Sequence, residues 1–121
     1  MPKANSKELD DIPTHFTEVI AERRLTLLEN GRRKRVLVRI GAPVRDVPVA
    51  GGFDWRCPIR IPGHRQDLCT FGVDSMQALI FALQMVEILL STRQGGGQLE
   101  WFGQAELGFP KIRHRKLKRS K

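Results

Sequence analysis

The side chains able to do acid–base, nucleophilic or metal chemistry are few and far apart. Three histidines, His15, His64 and His114, are scattered along the chain, and none has a nucleophile and an orienting acid beside it in sequence. Asp74-Ser75 sets a carboxylate next to a hydroxyl, but a long apolar run follows. Helix capping accounts for the pair. Asp74 or Ser75 can accept from the unpaired N–H groups of a first helical turn, and Gln77 can reach back to complete a capping box. Cys57, His64 and Cys69 flank a turn centred near Gly63, with Asp67 or a water as a fourth zinc ligand. The histidine sits at the turn while the cysteines lie several residues down the strands, at about 3.3 Å of rise per residue, which is poor geometry for one tetrahedral ion. Buried, inert thiols are the expectation. Gly95-Gly96-Gly97 follows a helix and lacks the lysine of a phosphate loop, so it reads as a stop signal. No enzyme, metal site or cofactor is expected from these residues.

Charge is the stronger signal. The chain of 121 residues has a net charge of +8. Much of it is concentrated in residues 111–121, where Lys111, Arg113, Arg115, Lys116, Lys118, Arg119 and Lys121 occur without an acid. Such a run binds phosphate backbones in a salt-dependent way, or serves as a solubilising end. A second basic group, Arg32-Arg33-Lys34-Arg35, flanks a turn, and Arg39, Arg56 and Arg60 would continue it over an open sheet face if their strands were neighbours. Glu18 and Glu22 would neutralise part of that face. Trp55 and Trp101 are candidate base-stacking platforms, but tryptophan in a half-buried strand reads first as core.

The elements that must position these groups follow from periodicity. Residues 16–28 alternate imperfectly as a strand, with Ile20 and Arg23 on unexpected faces. Asn30-Gly31 tolerates the positive φ of a tight hairpin turn. Lys34, Val36, Val38 and Ile40 alternate with Arg35, Leu37 and Arg39 in a second strand, which Gly41-Ala42-Pro43 ends, and residues 44–52 read as a loop. Trp55, Cys57, Ile59 and Ile61 make one face of a third strand in which Pro58 argues for an edge or a bulge. Residues 68–73 form a fourth strand feeding a helix over residues 74–93, and residues 99–102 a fifth strand or an apolar arm. The helix is apolar over most of its girth, with Gln77, Gln84 and Ser91 as a narrow polar stripe. Burying one large aliphatic side chain is worth about 1.5–3 kcal/mol, so either the segment 99–110 or a second copy of the chain should cover what the sheet does not.

A hydrophobic content of 40% and charged content of 28% exclude wholesale disorder. No charge-free apolar run approaches the ~20 residues that span a bilayer, and residues 1–8 lack the apolar core of a secretory signal, so a cytoplasmic location is the default.

At Trp55-x-Cys57-Pro58, Gly72-Val73-Asp74-Ser75-x-Gln77-Ala78-Leu79 and Leu107-Gly108-Phe109-Pro110 the chain resembles a family of small bacterial domains of unassigned function, over roughly residues 16–110. The resemblance implies a small β-rich domain with one long helix and assigns no catalytic residues or cofactor. The expectation is therefore an α+β protein: a flexible segment 1–14, one domain over 15–110 with an antiparallel four- to five-stranded meander sheet packed on the helix, and a disordered basic tail 111–121. Its function would be non-catalytic: a binding or accessory module whose cationic tail contacts nucleic acid or another polyanion, or a protein-interaction module with an acidic or immunity/antitoxin-type partner or as a subunit of a small complex. A homodimer through the apolar helix is a further candidate.

Overall fold

The computed structural model describes residues 12–63 and 68–111. Its strands are β1 (Val19–Glu29), β2 (Arg32–Gly41), β3 (Val44–Val49), β4 (Gly52–Arg60), β5 (Leu68–Gly72) and β6 (Gln98–Glu100), with one helix, α1 (Ser75–Ser91), between β5 and β6. All pairings are antiparallel, giving the expected α+β architecture.

Asn30 and Gly31 adopt φ of 53° and 77°, the two positive values of a tight hairpin turn, and Glu29 pairs with Arg32 across it. Residues 44–49, expected as a loop, form β3 and return through Ala50-Gly51 to β4, with Val49 opposite Gly52. The prolines flanking and within this stretch mask its Val44, Val47 and Val49. Pro48 is tolerated because β3 pairs with β4 alone. Arg56 pairs with Val44 and Phe71, and Ile59 with Ile40 and Leu68, so β2 and β3 share one side of β4 while β5 takes the other. The chain thus meanders through β1, β2–β3, β4 and β5, and β6 crosses back to pair with β1. Pro58 does not mark an edge strand: it lies opposite the break between β2 and β3, where no residue pair is registered on that side.

Leu25, Leu27, Val38, Ile40, Ile59 and Leu99 face the helix and form the core with its Ala78, Ala82, Val86 and Leu90. Small side chains at 78 and 82 let the helix lie close to β5, where Thr70 Oγ1 donates to the Ala78 carbonyl at 2.8 Å. Gly72 is required there, since a Cβ would stand 2.5 Å from the Ala78 nitrogen. Asp74 is the N-cap, its carboxylate accepting from the Gln77 N–H at 2.7 Å. Gln77 Oε1 accepts from the Val73 N–H at 2.9 Å, one residue earlier than in the usual box, and Ser75 is the first helical residue. The helix ends at Ser91 rather than 93 because Thr92 caps it, its N–H and hydroxyl both donating to the Ile88 carbonyl.

The segment after β6 folds back as an arm. Leu99 and Phe109 are buried, and Trp101 and Leu107 pack on the core. Arg23 fastens it: the guanidinium lies 3.9 Å from the Trp101 ring centroid and 4.7 Å from that of Phe109, and donates to the Leu107 and Gly108 carbonyls at 3.0 and 3.1 Å. The "unexpected" face of Arg23 in β1 is explained by this role. Gly108, at φ 77°, passes so near Trp101 that a Cβ would lie 2.3 Å from the ring. The Leu107-Gly108-Phe109 motif is therefore a docking element for the arm.

Candidate polyanion interface

Directly paired residues of an antiparallel sheet project to the same face, so the register sorts the basic side chains. Leu28 pairs with Arg33, Thr26 with Arg35, Arg24 with Leu37, and Glu22 with Arg39, which in turn pairs with Arg60. Arg24, Arg33, Arg35, Arg39 and Arg60 thus share the face turned away from α1, and Arg24, Arg33, Arg35 and Arg60 are exposed. Glu22 and Glu100 join the same rows. Arg39 Nε bonds Glu22 Oε2 at 2.8 Å, and this hydrogen bond holds the Glu22 carboxyl below its ordinary value, with the charges of Arg39, Arg24 and Arg35 adding to it.

The contiguous group Arg32-Arg33-Lys34-Arg35 is divided between the two faces. Arg32 and Lys34 alternate with Arg33 and Arg35, and so fall on the helix side of the sheet. There Lys34 lines a cleft of about 530 Å³ with Leu27, Val36, Leu89 and Arg93, to which Arg35 of the next row also contributes. Arg24 belongs to the open face although sequence proximity does not tie it to this group; its pairing row with Leu37 is what places it there.

Arg56 departs furthest from the expected open surface. It lies on the same face, yet it is 0% exposed because residues 15–17 close over it. Its Nε and Nη2 meet Asp46 Oδ1 and Oδ2 at 2.8 and 3.1 Å, Nη1 donates to the His15 carbonyl at 2.8 Å and lies 3.6 Å from Cys69 Sγ, and Nη2 sits 3.2 Å from His15 Nε2. Burial alone would lower the guanidinium pKa, but the hydrogen bonds to Asp46 and Cys69 and the attraction of Asp46 outweigh it and raise the value, so Arg56 stays charged. Beside it, Phe16 lies under Arg60 at 4.1 Å, and Thr17 Oγ1 donates to the Ala42 carbonyl at 2.8 Å. Gly41 makes room for this strap: a Cβ there would stand 2.4 Å from Thr17 Oγ1 and 3.2 Å from the Phe16 ring.

Cys57 pairs with Thr70 and Cys69 with Pro58, so the two thiols project to opposite faces of the sheet and do not converge on one ion. Burial pushes the Cys57 thiol up to about 11, consistent with an inert core position. His64 lies outside the described residues. Trp55 and Trp101 both pack against the core rather than on the open face. Of the basic tail, Lys111 is exposed and bonds Glu106 at 3.5 Å, while Arg113, Arg115, Lys116, Lys118, Arg119 and Lys121 lie outside the described residues.

Among the described residues no helix is long and apolar enough to cross a membrane. No curated protein and no solved structure matches the chain. The motif segments explained above, from Trp55-x-Cys57-Pro58 to Leu107-Gly108-Phe109-Pro110, all fall within residues 21–111, the span matched by the model of DUF6968, a domain of unknown function, and the chain belongs to that family.

Proposed function

We propose that the chain is a non-catalytic binding module whose open sheet face takes the phosphate backbone of a nucleic acid, or a comparable polyanion. The observation that carries this reading is the convergence of Arg24, Arg33, Arg35, Arg39 and Arg60 on one face, with Glu22 and Glu100 in their rows and Asp46 engaged by Arg56. Guanidinium groups gathered on one face attract phosphates without reading base edges, so binding is expected to be salt-dependent and indifferent to sequence. The tail 111–121 would add to the same field. Titrating random-sequence duplex and single strands with the full chain over a series of salt concentrations tests the reading: log affinity should fall linearly with log salt. Affinity that ignores salt would exclude it.

A protein-interaction role, with an acidic or immunity/antitoxin-type partner or a second copy, is supported by a different observation. After the arm has folded back, Met76, Ile80, Phe81 and Ile88 of α1 remain exposed. Co-purification of a stoichiometric partner from the native host tests this second reading, and repeated isolation of the chain as a lone monomer counts against it.

A further inference from the structure

Three strands, β3, β5 and β6, pair with only one other described strand, and their free edges are guarded unequally. β6 is three residues long, and the chain beyond it turns back through a Trp101–Gln104 bridge. β3 carries Arg45, Asp46 and Pro48 and a register irregularity between Val44 and Val47. These are the usual devices that stop an edge from recruiting another strand. β5, Leu68–Gly72, pairs with β4 on one side and with no other described strand, and it contains no charge, no proline and no register shift.

Apolar side chains flank this bare edge on both faces. Phe71, 44% exposed, stands on the arginine side, while Phe81 and Ile88, 42% and 37% exposed, stand on the helix side with Met85 between them. From Leu68 to Val86 the single charged side chain is Asp74, which caps the helix. The flank is thus a patch nearly free of charge on a chain of net charge +8, where a second copy meets little like charge. Segments of the chain outside the described residues offer little to cover it: residues 1–11, 64–67 and 112–121 hold Met1, Leu9, Ile112 and Leu117 as their large apolar side chains, dispersed among charges. A protein partner of acidic character would gain nothing from an uncharged flank.

We propose that β5 pairs antiparallel with β5 of a second copy, and that Phe71, Phe81 and Ile88 of both copies pack over the seam. A strand that pairs with itself does so about a two-fold axis normal to the sheet, so the interface is isologous and closed. That axis leaves each face on its own side. The helices of the pair come together on one side, and the two arginine faces join on the other. With strands about 4.8 Å apart, the β2 rows of the two copies lie roughly 24 Å from each other. If the polyanion reading holds, one strand of nucleic acid engages both rows; the pairing itself does not depend on that reading.

Sedimentation equilibrium of the full chain, combined with amide exchange, tests the proposal without any ligand. The expected result is a two-chain mass, with the amides of β5 becoming protected as concentration rises. Phe81→Glu and Phe71→Lys, on opposite faces of the seam, should each weaken association at least tenfold and expose the β5 amides, with far-UV circular dichroism unchanged. Should one variant misfold, the other still decides. A single-chain mass up to ~100 μM, a range that captures micromolar affinities, overturns the proposal. So does a dimer that both variants leave intact, or one whose β5 amides stay unprotected.

Discussion

The open face of the sheet has two ends that use arginine in opposite ways. At the β4–β5 end Arg56 is sealed under residues 15–17, its charge matched by Asp46 and its remaining donors directed at His15 and Cys69. At the β1–β2 end Arg24, Arg33 and Arg35 stand in solvent. Residue type and face are identical. What differs is the presence of a covering segment, and Gly41 is what lets that segment lie flat. An arginine row on a sheet therefore cannot be counted as one basic surface: a buried guanidinium spends its field on local partners, while an exposed one keeps it available to a ligand.

Substitutions should separate the two ends sharply. The largest effect is expected from Asp46→Ala, which strips the carboxylate from a fully buried guanidinium and should cost about 3–5 kcal/mol in urea unfolding. Arg56→Met should cost less, because it removes the charge that needs a partner; the reverse order would mean that Arg56 is not the group held by this pairing. Gly41→Ala should destabilise by about 1–3 kcal/mol through overpacking against Thr17 and Phe16, and a neutral outcome would detach the strap from the account. Arg24→Gln and Arg35→Gln, at the open end, should each change stability by no more than about 0.5 kcal/mol.

The smallest effect concerns Glu22. Its folded-state pKa is lowered by the hydrogen bond from Arg39, so its contribution is present above the unfolded carboxylate value, near 4.3, and is lost as pH falls through the lowered folded value. The pair is solvent-exposed, and the change in stability should be slight. Glu22→Gln at neutral pH should instead tighten polyanion binding modestly by releasing Arg39, measurable by fluorescence titration; weaker binding would speak against Arg39 as a ligand contact.

Much of the fold was legible in the residues. The Asn30-Gly31 hairpin, the alternation of β2 and the Asp74–Gln77 cap follow from local chemistry that no tertiary contact overrides, whereas the apolar excess of the helix called for a cover without deciding between the arm and a second copy. β3 was hidden because Pro48 and the glycines beyond it are loop signals unless the pairing partner is known. The candidate face was only half legible. Spacing along the chain groups Arg32, Arg33, Lys34 and Arg35, whereas the two-residue period of a strand divides them and cross-strand register adds Arg24. Burial of Arg56 depends on residues about forty positions away and leaves no local mark.

The exposed arginines of the β1–β2 end, and not the buried one, are the proposed contacts for a polyanion. The most direct measurement is the slope of log affinity against log salt for a random duplex, compared between the full chain and its Arg24→Gln/Arg33→Gln/Arg35→Gln variant. Each phosphate contact removed should reduce the slope by about 0.9 for duplex DNA, with the unfolding midpoint nearly unchanged. A variant that keeps both the affinity and the slope of the parent chain would contradict the account.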